Sequence, residues 1–249
     1  MEKVKYEEML PHEIVKAREK YPVAYLPIGV LEWHGEHLAV GNDTLKVHAL
    51  AVKCAESIGG LVFPPLYYGE SRESHLMDVN HDPDGKIASK MGLPRSNFAP
   101  GYMKKSVYEQ EKFYIDLLVH IMRQIKSLGF KVIVILAGHY PLFNHAEAAA
   151  RLYSLDYGSV KVLTVIGYEL VRDVIPDAGD HAGKWETSLL MVLRPDCVDM
   201  KKLPKDRKKK LTGVSADNND PRNASFEYGK KGIETVIDRI RTKIKELLK

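Results

Sequence analysis

The chain of 249 residues is 45% hydrophobic and 28% charged, a globular mix that excludes intrinsic disorder, fibrous repeats and a disulfide-stapled miniprotein. Its net charge of +4 is uneven: KKLPKDRKKK at 201–210 holds seven basic residues and one acid, +6, so the rest sums to 4 − 6 = −2. Excess charge confined to one short stretch reads as a solvated loop and argues against a nucleic-acid face.

The opening MEKVKYEEML mixes three glutamates with its lysines and does not read as a signal peptide. No apolar run approaches the roughly 18 residues of a membrane span. Cys54 and Cys197 read as buried thiols in a reducing compartment, so a cytoplasmic protein without membrane contact is expected. Four nearly continuous apolar runs predict strands covered on both faces: Val23–Leu31, Leu61–Tyr68, Val132–Ala137 and Val160–Gly167. Between and after them lie helical patterns over Thr44–Ile58, over Ser106–Leu128 with Gly129 as a stop, and over the segment from Ile233 to Leu248. Alternating strand and helix predicts an α/β protein, with a mostly parallel sheet and helices on both faces. The stretch Ser71–Met103 breaks this rhythm and reads as a long functional loop. One domain over 1–249 is the economical reading.

Open α/β sheets bind ligands beyond the carboxyl ends of their strands. Five of the ten histidines fall in such segments: His34, His37, His75, His139 and His181. Glu32 and Asp43 accompany the first two, Glu70 and Glu73 precede His75, and Glu186 follows His181. Imidazole and carboxylate together suit zinc, manganese or iron. Each residue also has a structural reading. Asp43 could cap a helix, His139 could be a hydrogen-bonded histidine, and Glu186 could merely open a helix. Their joint placement at strand ends is what favours a metal.

These residues resemble the creatininase family (creatinine amidohydrolase and relatives). The first motif stands as Gly29, Glu32, His34, Gly35, His37, Leu38, Gly41 and Asp43. The second is Tyr68, Gly69, Ser71, Ser74 and His75; the third is Gly138 and His139. The fourth is intact as His181, Ala182, Gly183, Glu186, Thr187 and Ser188. The resemblance implies a three-layer α/β/α sandwich, a homo-oligomer (often a hexamer), and a site for one or two divalent ions. It implies Glu32, His34, Asp43 and His139 as ligands, with Asp43 bridging. Glu186 would be a further ligand or the base that holds water, and His181, on a flexible Ala-Gly corner, the proton shuttle.

Candidates for substrate contact are His37, His75, Tyr140 and Trp185. The family's Phe-Pro-Gly-Thr is absent after His75. Pro141 stands where creatinine amidohydrolase has a second-metal glutamate, and the common Gly-His-Gly-Gly-Asn is missing, which makes creatinine a poor candidate. The expected activity is therefore hydrolysis of a small cyclic carbonyl compound at a C–N bond by metal-activated water, with zinc ahead of manganese or iron. In that reading His81, Asp82, Asp84, Lys86 and Arg95 line the pocket. Two other readings stand beside it: hydrolytic opening of a cyclic diketone at a C–C bond in polyol breakdown, and a non-catalytic, metal-containing binding protein.

Overall fold

The computed structural model describes residues 3–69, 71–157, 159–215 and 219–249. Four strands, β1 (Val23–Ile28), β2 (Leu61–Val62), β3 (Val132–Ala137) and β4 (Lys161–Ile166), form one sheet in the order β2-β1-β3-β4. All three pairings are parallel. The principal helices are α1 (Pro11–Lys20), α2 (Asn42–Ile58), α3 (Val107–Ser127), α4 (Tyr140–Tyr157), α5 (Lys184–Leu193) and α6 (Phe226–Leu247).

Successive residues of a strand point to opposite faces, and both faces of β1 and β3 are apolar. Val23, Tyr25, Val132, Val134 and Leu136 pack against α2, α5 and α6 through Val47, Leu50, Leu189, Ile233, Val236 and Ile240. Ala24, Leu26, Ile28, Ile133 and Ile135 pack against α3 and α4 through Tyr114, Leu118, Met122, Leu142, Ala146 and Ala149. The expected three-layer α/β/α arrangement is therefore the one observed. Burying both faces explains why these strands read as unbroken apolar runs.

Several elements differ from expectation. The second strand keeps ladder pairing only at Leu61–Val62 and an isolated bridge at Leu66, because Pro64 and Pro65 interrupt it without N–H donors. Helices α1 and α4 are additional. The segment Ser71–Met103 is built of short helical turns, Arg72–His75, Met77–Asn80 and Lys86–Lys90, rather than open loop. Trp33, Met77 and Ile87 pack together and seat it on the segment after β1. The basic run 201–210 is largely exposed, as expected. Cys54 is buried but Cys197 is only partly so. Among the described residues no helix is long and apolar enough to cross a membrane.

The strand order creates the site. From β1 the chain passes to α2 on one face of the sheet; from β3 it passes to α4 on the other. Where connections diverge in this way, a crevice opens at the carboxyl ends of the two strands. Glu32 and His34 follow β1, and His139 follows β3.

Candidate metal centre

Two glycines bring the start of α2 onto this crevice. A Cβ on Gly138 would lie 2.2 Å from the carbonyl oxygen of Asp43, and one on Gly29 would lie 2.5 Å from the amide nitrogen of Thr44. Only residues without a side chain allow that approach. It delivers Asp43, in the first turn of α2, to the mouth of the crevice. Gly41 is the N-cap of this helix, with no side-chain cap hydrogen bond. The Asp43 carboxylate faces two imidazoles instead.

His34 Nε2 lies 3.1 Å from Asp43 Oδ1 and 3.5 Å from Glu186 Oε2. His139 Nδ1 lies 3.2 Å from Glu32 Oε2 and 3.3 Å from Asp43 Oδ2. Asp43 thus stands between two groups of donors, Glu32–Asp43–His139 and His34–Asp43–Glu186. Within each, one potential ligand atom per residue lies within 4.8 Å of the others. Glu32, His34 and His181 form a third such group. The His34 Nδ1–H donates to the backbone carbonyl of Glu32 at 3.1 Å, which turns Nε2 towards the carboxylates, the usual way a second hydrogen bond orients a metal-binding imidazole.

The donor set fits a divalent cation. Glu32, His34, Asp43, His139 and Glu186 are all buried, and Glu32 Oε2, His34 Nε2 and Asp43 Oδ2 face the imidazoles and carboxylates opposite them. Buried acceptors facing one another without a positive charge are costly. Protons partly supply that charge here. Burial alone would lower the pKa of His34, but Asp43 and Glu186 push it up to about 9. His139 is likewise held well above the ordinary histidine range against its burial, by Asp43 and Glu32. Burial would raise Asp43, yet His34 and His139 hold it well below the usual carboxylate range.

Helix α5 supplies Glu186. Asp180 accepts hydrogen bonds from the amides of Gly183 at 3.0 Å and Trp185 at 2.6 Å, so it satisfies the helix start. Glu186 is left to turn back, where its Oε2 accepts from the Ala182 amide at 2.8 Å. Ala182 itself has φ 56°, a left-handed conformation that costs a non-glycine residue roughly 1–2 kcal/mol. The His181 corner is pinned rather than flexible. Its amide donates to Ser215 O at 2.8 Å and its carbonyl accepts from Ser215 N at 3.1 Å. Its Nε2–H donates to Trp33 O at 2.8 Å, and its Nδ1 lies 3.8 Å from Glu32 Oε2. Burial and the His34 charge lower its pKa, which keeps the ring neutral at pH 7.

A cavity of about 220 Å³ opens over these groups, bordered by Glu32, Asp43, His139, His181 and Glu186. His75, Tyr140 and Trp185 lie on its wall, as does His81; Asp82, Asp84, Lys86 and Arg95 do not. Asp82 instead accepts from the amides of Lys86, Ile87 and Ala88. His37 is buried behind the site with Nε2 3.0 Å from Thr187 Oγ1, away from the cavity. His75 packs edge-on against His145, ring centroids 5.6 Å apart, and groups with it and Glu111 beside the cavity. Glu70 lies outside the described residues. Sequence reasoning missed Asp180 and Lys46. The Lys46 ammonium is buried against Glu186 Oε1 and lies 3.7 Å from Asp43 Oδ1. Its signal was a spacing of three from Asp43, which puts both on one helix face.

The family profile described as creatinine amidohydrolase matches residues 7–244. The chain is 28% identical over 194 residues to creatinine amidohydrolase of Pseudomonas putida, covering 72% of this chain and 66% of that protein. It is 26% identical over 185 residues to the mycofactocin precursor peptide peptidase of Mycolicibacterium smegmatis, covering 71% and 60%. The matched stretch thus spans less than two thirds of either relative.

Among solved structures, creatinine amidohydrolase (creatininase) superposes with a TM-score of 0.70 at 23% identity, covering 99% of this chain and 98% of that one. A mutant creatininase of Zn-Zn type gives 0.70 at 23%, covering 99% and 98%. A manganese creatininase gives 0.69 at 24%, covering 98% of both. With the profile matched over nearly the whole length and the same fold throughout, the chain belongs to the creatininase family.

Proposed function

We propose that this protein is a metal-dependent hydrolase acting on a C–N bond of a small carbonyl compound, a cyclic amide or a formamide. The observation that carries the reading is the pair of carboxylate–imidazole groups sharing Asp43 at the floor of a small cavity. Glu32, Asp43 and His139 would hold a divalent ion, with His34 and Glu186 forming the adjoining set. Zinc comes first and manganese or iron next, in keeping with the zinc and manganese relatives. Such an ion polarises a carbonyl and acidifies water, supplying a nucleophile near neutral pH.

His181 carries the proton in this reading. Its Nε2–H is committed to the Trp33 carbonyl, so Nδ1 is the nitrogen that accepts a proton from the attacking water and returns it to the leaving nitrogen. The Glu186 carboxylate is engaged at both oxygens, by Lys46 and by the Ala182 amide, which suits a fixed anionic wall better than a proton carrier. Tyr140, half-exposed at the cavity mouth, and His75 provide polar contacts for the substrate, while Trp185 closes the base.

A homo-oligomer, hexameric as in the family, belongs to the same reading. Exposed Tyr68, Phe113 and Met103 rim an apolar groove of about 700 Å³, the kind of patch that soluble proteins cover by association. The experiment is a panel of lactams, formamides, short peptides and cyclic polyol ketones given to zinc- or manganese-loaded protein. Turnover confined to amides and abolished by chelation supports the proposal. Turnover of the ketones alone, or of nothing in the panel, contradicts it.

A further inference from the structure

The two donor groups that share Asp43 are not equivalent, and the difference is Lys46. Its side chain leaves α2 one turn after Asp43 and is buried with it. The ammonium pairs with Glu186 Oε1 and lies 3.7 Å from Asp43 Oδ1. Both carboxylates belong to the His34–Asp43–Glu186 group: Lys46 shares Asp43 Oδ1 with His34 Nε2, and on Glu186 it takes Oε1 while Oε2 faces His34. The other oxygen of Asp43, Oδ2, faces His139 and with Glu32 Oε2 completes the Glu32–Asp43–His139 group, whereas the ion pairs of Lys46 run to Asp43 Oδ1 and Glu186 Oε1.

From this geometry we infer that the Lys46 ammonium is a built-in cation occupying the place of a second metal, so that each chain holds one divalent ion, in the Glu32–Asp43–His139 group. This inference rests on the metal-dependent reading above. Charge arithmetic agrees with it. With both imidazoles counted as neutral ligands, Glu32, Asp43 and Glu186 bring three buried negative charges, and one divalent ion with one ammonium brings three positive charges. Two divalent ions beside the ammonium would bring five. An ion held by Asp43 and Glu186 would share both carboxylates with Lys46, cation against cation where little water screens them. The protein chain, rather than metal supply, thereby sets the stoichiometry.

The test strips the full-length protein with chelator, titrates it with Mn²⁺ or Zn²⁺ and measures tightly bound metal per chain after dialysis. Wild type should retain one ion per chain. Lys46→Met, which keeps the length and removes the charge, should retain two, and Lys46→Arg should stay at one. Wild type holding two ions, or a folded Lys46→Met still holding one, overturns the inference while leaving the metal reading intact. Wild type holding none overturns both. Manganese-loaded wild type provides a second measurement that needs no variant. Its electron paramagnetic resonance spectrum should be that of an isolated ion, and the exchange-coupled spectrum of a pair would overturn the inference.

Discussion

Gly138 is in van der Waals contact with the backbone of Asp43, so close that a Cβ on Gly138 would fall 2.2 Å from the Asp43 carbonyl oxygen. This contact joins the end of β3 to the start of α2. It is the reason that His139 and Asp43, about a hundred residues apart in the chain, present donor atoms 3.3 Å apart.

Replacing Gly138 by alanine should force the two backbones apart. The obstruction is main chain, which cannot swing away as a flexible side chain would. The expected cost is roughly 1–3 kcal/mol of folding stability, read as a lower denaturation midpoint, together with weaker metal retention. A variant with unchanged stability and metal content would show that the contact does not position the site.

His181→Ala should separate metal binding from catalysis. The imidazole's Nδ1 reaches towards Glu32, but the ring is anchored through Trp33 O. Its removal should lower kcat by about 10²–10⁴-fold, the usual span for a lost general acid–base group, while metal content changes little. Loss of metal in parallel with activity would make His181 a ligand instead.

Much of this centre is legible from residue order alone. The third strand, the helix that Asp43 opens and the convergence of Glu32, His34, Asp43, His139 and Glu186 all follow from apolar runs ending at polar groups. Helix α4 was harder to see. Its buried positions Leu142, Ala146, Ala149 and Tyr153 keep helical spacing, but two are alanines, so the apolar stripe is faint, and Pro141 suggests an interruption. Proline is tolerated there because the first turn needs no amide donor. Lys46 was hidden for a different reason. A lysine on an amphipathic helix reads as solvated, and only folding shows that carboxylates surround it. The short second strand follows from Pro64 and Pro65, which outweigh the apolar residues beside them.

Asp78 offers a test of stability against pH. Burial, reinforced by the Glu32 charge and only partly offset by Arg72, raises its pKa from 3.8 to about 6. Its Oδ1 has no hydrogen-bond partner. The folded state therefore holds this proton more tightly than the unfolded state. Below the unfolded pKa the group contributes nothing. As pH rises from about 4 to about 6 the unfolded chain ionises first and stability falls, and above that the full penalty remains. Asp78→Asn should raise stability by roughly 2–3 kcal/mol at about pH 7.5, and this gain should vanish near pH 3.5. Urea denaturation of both proteins at the two pH values checks it; an equal gain at both would assign the effect to packing.

The most direct test of the central claim is the position of bound metal in crystals of the manganese- or zinc-loaded protein, found by anomalous diffraction at that metal's absorption edge. The account predicts a peak about 2.0–2.2 Å from Glu32 Oε2, Asp43 Oδ2 and His139 Nδ1, absent from Glu32→Gln and His139→Ala crystals. Metal bound elsewhere on the chain, with these three side chains joined only by protons, would contradict it.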